Sequence, residues 1–222
     1  MLKKFTLTLA LIFSLILVMI FAMKFESPAV FAADTKGLQS AGAGEAYNVI
    51  PDKKSTHEKG KVKMIVFFDF FCPHCHQFDS VVVPLLLREY GDKLKVTSLG
   101  YPIIYEDSVI PVEAFELAKA QGKGEEMKVA IFDAIYYQRK DGANHDLLVS
   151  IAKTIGLNAE QFQKDLKSGV KKKAALEGRD LAKSYGATGT PTVILDGNIF
   201  VRDNSLANIS SVISKILEGK IK

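Results

Sequence analysis

Phe67-Phe68-Asp69-Phe70-Phe71-Cys72-Pro73-His74-Cys75-His76-Gln77-Phe78-Asp79 is the stretch on which the reading of this chain turns. The run Lys63 to Phe70 is almost unbroken in its apolar character, which suits a β-strand buried on both faces. From Cys72 the pattern changes to helical spacing through Phe78, Val81, Val82 and Leu85 to Leu87, ending at Gly91, with a kink predicted at Pro84. Cys72 and Cys75 are the only 2 cysteines in 222 residues. With no second pair to build a structural framework, they point to a disulfide that opens and closes within the protein and acts on other proteins. A cysteine where a buried strand turns into a helix sits at the helix N-terminus, where unpaired N–H groups and the helix dipole favour an anion. The Cys72 thiolate is therefore stabilised. Pro73 suits the first helical position, and a protonated His74 would add a positive charge. Cys75, a turn deeper, is the shielded partner.

Outward from this stretch, Tyr47 to Ile50 reads as a short edge strand, Pro51 to Gly60 as a polar loop and Leu94 to Leu99 as a further strand. Apolar residues three and four apart predict helices over Val112–Ala120, Glu125–Gln138, Asp146–Ile155, Ala159–Leu166 and Val170–Tyr185. Strands return at Thr192–Leu195 and Ile199–Arg202, joined by the hairpin signal Asp196-Gly197-Asn198. A last amphipathic helix carries Leu206, Ile209, Val212, Ile213, Ile216 and Leu217 on one face. The order is β-β-α-β, a helical block, then β-β-α, an α/β fold.

The amino terminus has the layout of an export signal over residues 1–33. Lys3 and Lys4 precede an apolar stretch from Phe5 to Met23, and Val30-Phe31-Ala32-Ala33 follows as a small-residue cut site. The apolar stretch is also about as long as the ~20 residues that span a bilayer, so cleavage after Ala32 and retention as a membrane anchor both stay open. Either way the remainder faces a compartment where disulfides persist. Residues 34–45, rich in Gly, Ala and Ser, read as a tether. Residues 1–33 hold three lysines and one glutamate, so about half of the formal charge of +4 belongs to them. What remains is too little to argue for nucleic acid. The Lys171-Lys172-Lys173 run reads as a solvated helix face, and His57 and His145 as solvated surface.

The stretch Phe67 to Asp79, with its Pro73-His74 dipeptide, resembles the active site of the DsbA family, periplasmic thiol oxidases with a thioredoxin fold interrupted by a helical domain. Gly189-Thr190-Pro191-Thr192 resembles the loop in which the thioredoxin superfamily holds a cis-proline against its dithiol. The resemblance implies a thioredoxin-like domain over 46–103 and 186–222, with an inserted helical domain over 104–185. It implies a protein disulfide oxidoreductase whose redox-active disulfide is Cys72–Cys75, with no further cofactor and no metal. A cis bond at Pro191 would expose the Thr190 backbone to an extended substrate strand and deny nearby sulfurs a competing N–H. The implied partners are reduced or unfolded exported proteins and a membrane quinone-linked reoxidant of the DsbB or vitamin K epoxide reductase kind. The implied location is the periplasm or the outer face of the cytoplasmic membrane.

Some positions depart from that pattern. The buried acid that the family archetype keeps six residues before its first cysteine is Val66 here, and its lysine partner aligns with Ser98. Both charges are thus expected to be missing. Asp69, the nearest carboxylate, reads either as a proton handler for Cys75 or as a solvated strand-end residue. Phe70 or Phe71 is expected to border the substrate groove. Thr190 stands where the archetype has valine and related isomerases and reductases often have threonine, so an extracytoplasmic reductase or isomerase is the alternative direction. Three rivals share the motif. Cys72-Pro73-His74-Cys75-His76 also fits C-x-x-C-H haem attachment, although a preceding buried strand and a Thr-Pro hairpin are not what a small cytochrome needs. For zinc, His74 and His76 lie too close in sequence to the cysteines to complete a typical site. A thioredoxin-like binding module with a passive staple is the non-catalytic reading.

Overall fold

A computed structural model describes residues 46–221. The predicted export signal or anchor and the tether lie outside the described residues. Five strands form one sheet: β1 (Tyr47–Val49), β2 (Val62–Phe68), β3 (Leu94–Gly100), β4 (Thr192–Leu195) and β5 (Ile199–Val201), in the order β1-β5-β4-β2-β3. β2 and β3 run parallel, and the other neighbours are antiparallel. β2 lies between β3 and β4 with helices on both faces, which is why its sequence is apolar at nearly every position.

Each face of β2 has its own core. Met64 and Val66 pack with Phe78, Val83 and Leu86 and with Ile209, Val212, Ile213 and Ile216. The last four are the apolar stripe of the C-terminal helix. Phe67 and Ile194 face the other way, against Tyr101, Ala182 and Ala187. Between β2 and β3 run α1 (Pro73–Gln77), a wide π turn over Phe78–Val82 and α2 (Val83–Tyr90). Where a kink was expected at Pro84, the irregularity is this π turn just ahead of it. The Val83 N–H bonds the Phe78 carbonyl, five residues back, and Pro84 follows in the first turn of α2, where its missing N–H costs least.

The helical block holds α3 (Val109–Lys119), α4 (Gly124–Tyr136), α5 (His145–Thr154), α6 (Ala159–Ser168) and α7 (Lys172–Ser184); α8 (Leu206–Leu217) closes the chain. Two boundaries differ from expectation. A 3₁₀ turn over Glu106–Ser108 leads into α3, which therefore starts before Val112. Gly169, at φ 70°, ends α6 in the left-handed region, so Val170 and Lys171 are used in turning and α7 starts at Lys172. Helices this short are marginal alone and depend on packing. Phe68, Phe70, Phe115, Phe132, Leu148 and Phe162 provide it, each buried side chain contributing roughly 2 kcal/mol. Gly178 in α7 is required by closeness: a Cβ there would meet the Gly100 carbonyl oxygen at 2.2 Å. Among the described residues no helix is long and apolar enough to cross a membrane.

The hairpin between β4 and β5 turns through Asp196 (φ 45°) and Gly197 (φ 77°). Asp196 is fully buried, accepting from the Lys63 N–H at 2.7 Å through one oxygen and meeting His57 Nδ1 at 2.7 Å through the other. His57 is thus a partner of a buried carboxylate rather than the free surface residue its polar surroundings suggest.

Candidate active site

The abrupt end of β2 creates the site. Asp69 follows the strand and is completely buried. One carboxylate oxygen accepts from the Phe71 N–H at 2.9 Å, and the other accepts from the Ile103 and Ile104 N–H groups at 2.8 and 2.9 Å. The solvated strand-end reading is therefore incorrect. Three backbone donors converge on Asp69 because the loops leaving β2 and β3 have no ladder left to satisfy them, and the carboxylate ties the two loops together. Its backbone carbonyl accepts from the Cys72 N–H at 3.2 Å, which sets the start of α1.

Cys72 is the N-cap of α1, with extended φ −88° and ψ 111°, and Pro73 takes the first helical turn. Pro73 and His74 are exposed, while Cys72 and Cys75 are buried free thiols. The pKa of Cys72 is lowered to about 6, chiefly by the hydrogen bond from the Cys75 thiol, against a cost of desolvation. Thr190 and the backbone N–H groups of Cys75 and His74 act in the same lowering direction. Cys75 is pushed far above the ordinary thiol range, first by burial and then by the adjacent Cys72 sulfur. The pair thus holds one proton between two sulfurs, with the anion on the outer one.

The loop before β4 closes the site from the sheet side. The Thr190–Pro191 peptide bond is cis, and Cys72 Sγ lies 3.3 Å from the Thr190 carbonyl oxygen, to which it donates only when protonated. Cys72, Cys75, Pro73, His74, Thr190 and Pro191 are therefore brought together across more than a hundred residues. A groove of about 460 Å³ runs beside them, lined on one side by His74, Gln77, Phe78 and Val82 of the helix and on the other by Pro191 and Asn204. Neither Phe70 nor Phe71 borders it, contrary to expectation. Phe70 is fully buried against Phe68 and Phe132, and Phe71 meets Tyr105 edge-on at 5.4 Å.

Two features escaped the sequence reading. His76 stacks on Tyr136 of α4 at 4.6 Å with 9° between the rings, so the helical block covers one flank of α1. Burial, and after it the nearby Cys72 and Cys75 sulfurs, push the Tyr136 hydroxyl pKa up. The second feature is a buried charge pair. Val66 and Ser98 face each other in the β2–β3 register, both uncharged as expected, yet Ser98 accepts from the Lys128 ammonium at 2.8 Å. Lys128, only 3% exposed at its side chain, also lies 2.7 Å from Asp79, one helical turn beyond Cys75, and 2.7 Å from Glu125. Burial holds the Asp79 carboxyl above its ordinary range, and Lys128 pulls it partway back. The expected loss of both charges is thus offset from a different part of the chain. The available signal was Lys128 itself, a charge beside Met127 and one turn before Ile131 and Phe132 on the buried face of α4.

This pair bolts α4 to the active-site helix. Lys128→Met strands the Asp79 carboxylate and is expected to cost about 3 kcal/mol in denaturant unfolding. Adding Asp79→Leu should recover more than half of that, because the one charge still left without Lys128, Glu125, is largely exposed to water. Simply additive losses would show that the two side chains do not act as a pair.

An acidified outer thiol beside an inner thiol that keeps its proton, both at a helix start facing a cis-proline loop, defines a thioredoxin-fold protein of dithiol–disulfide exchange. A thioredoxin family model matches residues 56–215. A probable disulfide bond formation protein D of Bacillus cereus is 35% identical over 176 residues, which cover 69% of this chain and 81% of that protein. The thiol:disulfide interchange protein DsbA of Pseudomonas syringae pv. tomato is 26% identical over 180 residues, covering 77% and 81%. Among solved structures, oxidised BdbD from Bacillus subtilis shares the fold with a TM-score of 0.67 at 17% identity, over 78% of this chain and 100% of that one. Pseudomonas aeruginosa DsbA gives a TM-score of 0.62 at 20% identity, covering 80% of this chain and 93% of that one. The chain belongs to the DsbA family and is a thiol:disulfide oxidoreductase.

Proposed function

We propose that this oxidoreductase works in the oxidising direction, introducing disulfides into reduced exported proteins, with Cys72–Cys75 as its redox-active disulfide and no other cofactor. In the disulfide form a substrate thiolate attacks Cys72 Sγ. The Cys72–Cys75 bond breaks, and Cys75 leaves with the electron pair and takes up a proton. A second substrate thiolate then attacks the substrate sulfur of the mixed disulfide, and Cys72 leaves as a thiolate. Two electrons pass from the substrate to the dithiol, and one disulfide forms in the substrate. The Thr190 backbone beside Cys72 pairs with the extended substrate strand.

The observation that carries the direction is the place of Cys72 at the N-cap of α1, where the Cys75 thiol and the Cys75 and His74 N–H groups lower its pKa, because whatever stabilises the reduced form makes the oxidised form a stronger oxidant. The reaction takes place outside the cytoplasmic membrane, a reading supported by the basic-then-apolar amino terminus. The reoxidant is a membrane quinone-linked enzyme of the DsbB or vitamin K epoxide reductase kind. The test is the redox equilibrium with glutathione at pH 7. It is expected to lie at least about tenfold further toward the reduced protein than for a dithiol of ordinary pKa. A potential near that of thioredoxin, about −270 mV, would overturn the oxidase reading in favour of a reductase, the role for which Thr190 before Pro191 argues.

A further inference from the structure

A cleft of about 590 Å³ lies between α7 and the loop 102–106, and it shares no lining residue with the groove beside Cys72. Both of its walls are built in place. α7 is seated by the buried Ala175 and Ala182 and by Gly178, which packs on the Gly100 carbonyl. The next stripe round the helix, at spacings of three and four, is Lys172, Leu176, Arg179 and Lys183, and it lines the cleft. The opposite wall is held by Asp69, whose carboxylate takes the Ile103 and Ile104 N–H groups. On that wall two large side chains stand in water, Ile104 at 41% and Tyr105 at 64% exposure. Tyr105 also meets Phe71, the residue before Cys72, so the cleft lies one side-chain contact away from the active-site turn.

The lining holds three cations and a single carboxylate, Glu106. Among the described residues Lys172 and Lys183 form no ion pair, and Arg179 reaches only the exposed Asp180 beside it, at 3.7 Å. The buried Glu113 faces the start of α7, where it accepts the Lys171 N–H at 3.0 Å and Lys172 acts on it through space. The three-lysine run therefore divides: Lys173 lies 3.9 Å from Glu177 in solvent, and Lys172 lines the cleft. Loosely paired cations facing exposed apolar side chains suit an anionic polymer that also carries apolar groups. A bilayer is flat and would touch only the rim, whereas an extended polypeptide can lie between the walls. We propose that this cleft is an exosite for acidic, partly apolar segments of the polypeptide substrate. Lys172, Arg179 and Lys183 meet its carboxylates, and Ile104 and Tyr105 meet its apolar side chains. Holding such a segment raises the local concentration of a neighbouring substrate cysteine at Cys72. This inference rests on the exchange activity stated above and names a class of substrate for it.

The test uses two reduced two-cysteine peptides that differ only in a tail, Glu-Leu repeats in one and Lys-Leu repeats in the other. Cysteine-free copies of both tails serve for direct binding by fluorescence anisotropy. The wild type should bind the Glu-Leu tail and not the Lys-Leu tail, with affinity falling about tenfold or more between about 0.05 and 0.5 M salt. Lys172→Glu, Arg179→Glu and Lys183→Glu together should weaken that binding about tenfold or more and raise KM for the acidic peptide by the same factor, with kcat held. Lys183→Glu alone, on an exposed side chain, should already cost about two- to threefold. A wild-type pH midpoint of Cys72 thiolate absorbance shows that the variants are folded at the site. Lys173→Glu, which does not line the cleft, should change nothing; a loss equal to that of Lys183→Glu would reduce the effect to net charge and overturn the proposal. Equal binding of the two tails, or wild-type binding by the triple variant, would also overturn it. So would a wild type that ignores the acidic tail but binds phosphatidylglycerol vesicles, since the site would then face a membrane. A wild-type protein that binds the acidic tail yet oxidises neither peptide would refute the oxidase reading alone, so the two failures are distinct.

Discussion

Replacing Cys72 with serine is expected to abolish oxidation of a reduced peptide, lowering the rate roughly a thousandfold or more, the order of effect seen when a covalent nucleophile is removed. Serine keeps the size of the side chain and its place at the N-cap, so the helix start survives. What disappears is the sulfur that becomes electrophilic in the disulfide and leaves as an anion in the second step. Cys75→Ser should behave differently. Its Cys72 remains beside the Thr190 carbonyl and can attack a disulfide peptide, but no inner thiol is present to release the adduct. Mass spectrometry under non-reducing conditions should find the peptide held on Cys72 as a mixed disulfide. Reversal of the two outcomes, with the adduct on Cys75, would exchange the assigned roles. A Cys72→Ser protein retaining more than about a hundredth of the activity would refute covalent catalysis there.

The reduced form should gain stability over the oxidised form as pH rises from 6 to 9. The Cys72 thiol has its pKa lowered from 9.0 to about 6 in the folded dithiol protein. A depressed acid contributes its full stabilisation above its unfolded pKa and loses it as pH falls through its folded pKa. The oxidised form has no thiol to titrate, so the difference between the two forms isolates the effect. It amounts to several kcal/mol near pH 9, on the order of 1 kcal/mol at pH 7 and almost nothing below pH 6. Cys75 is shifted upward and acts with the opposite sign, but only above pH 9, outside this window. Denaturant unfolding of both forms at pH 5, 7 and 8.5 measures the trend directly. A pH-independent difference, or a thiolate absorbance midpoint near 9, would show that Cys72 is not acidified and would remove the argument for an oxidant.

The site was legible to different depths in different places. The dithiol, the buried strand before it and the Thr190-Pro191 loop were readable because each is a local pattern: a two-residue spacing, an apolar run, a dipeptide before a hairpin. Asp69 was readable as a carboxylate near the site, but its burial was not. The donors that satisfy it come partly from Ile103 and Ile104, beyond the next strand. Phe70 was misplaced for a similar reason, since its core partner Phe132 lies in the helical block. Val66 and Ser98 correctly announced that two charges are absent from β2 and β3. Nothing local announced that Lys128 and Asp79 would place another pair nearby.

From the order of residues alone came the alternation of strand and helix, the position of the dithiol at a helix start and hence the tendency of Cys72 to ionise. These follow from backbone geometry over a few residues, which neighbouring side chains carry with them. Only the tertiary structure decided that Asp69 is buried, that the Asn204 side chain bonds the Pro191 carbonyl where β5 ends, and that α4 is tied through Lys128 and Asp79 to the π turn after α1. Those outcomes depend on burial and on hydrogen bonds between segments far apart in the chain, and such contacts exist only once the chain has packed.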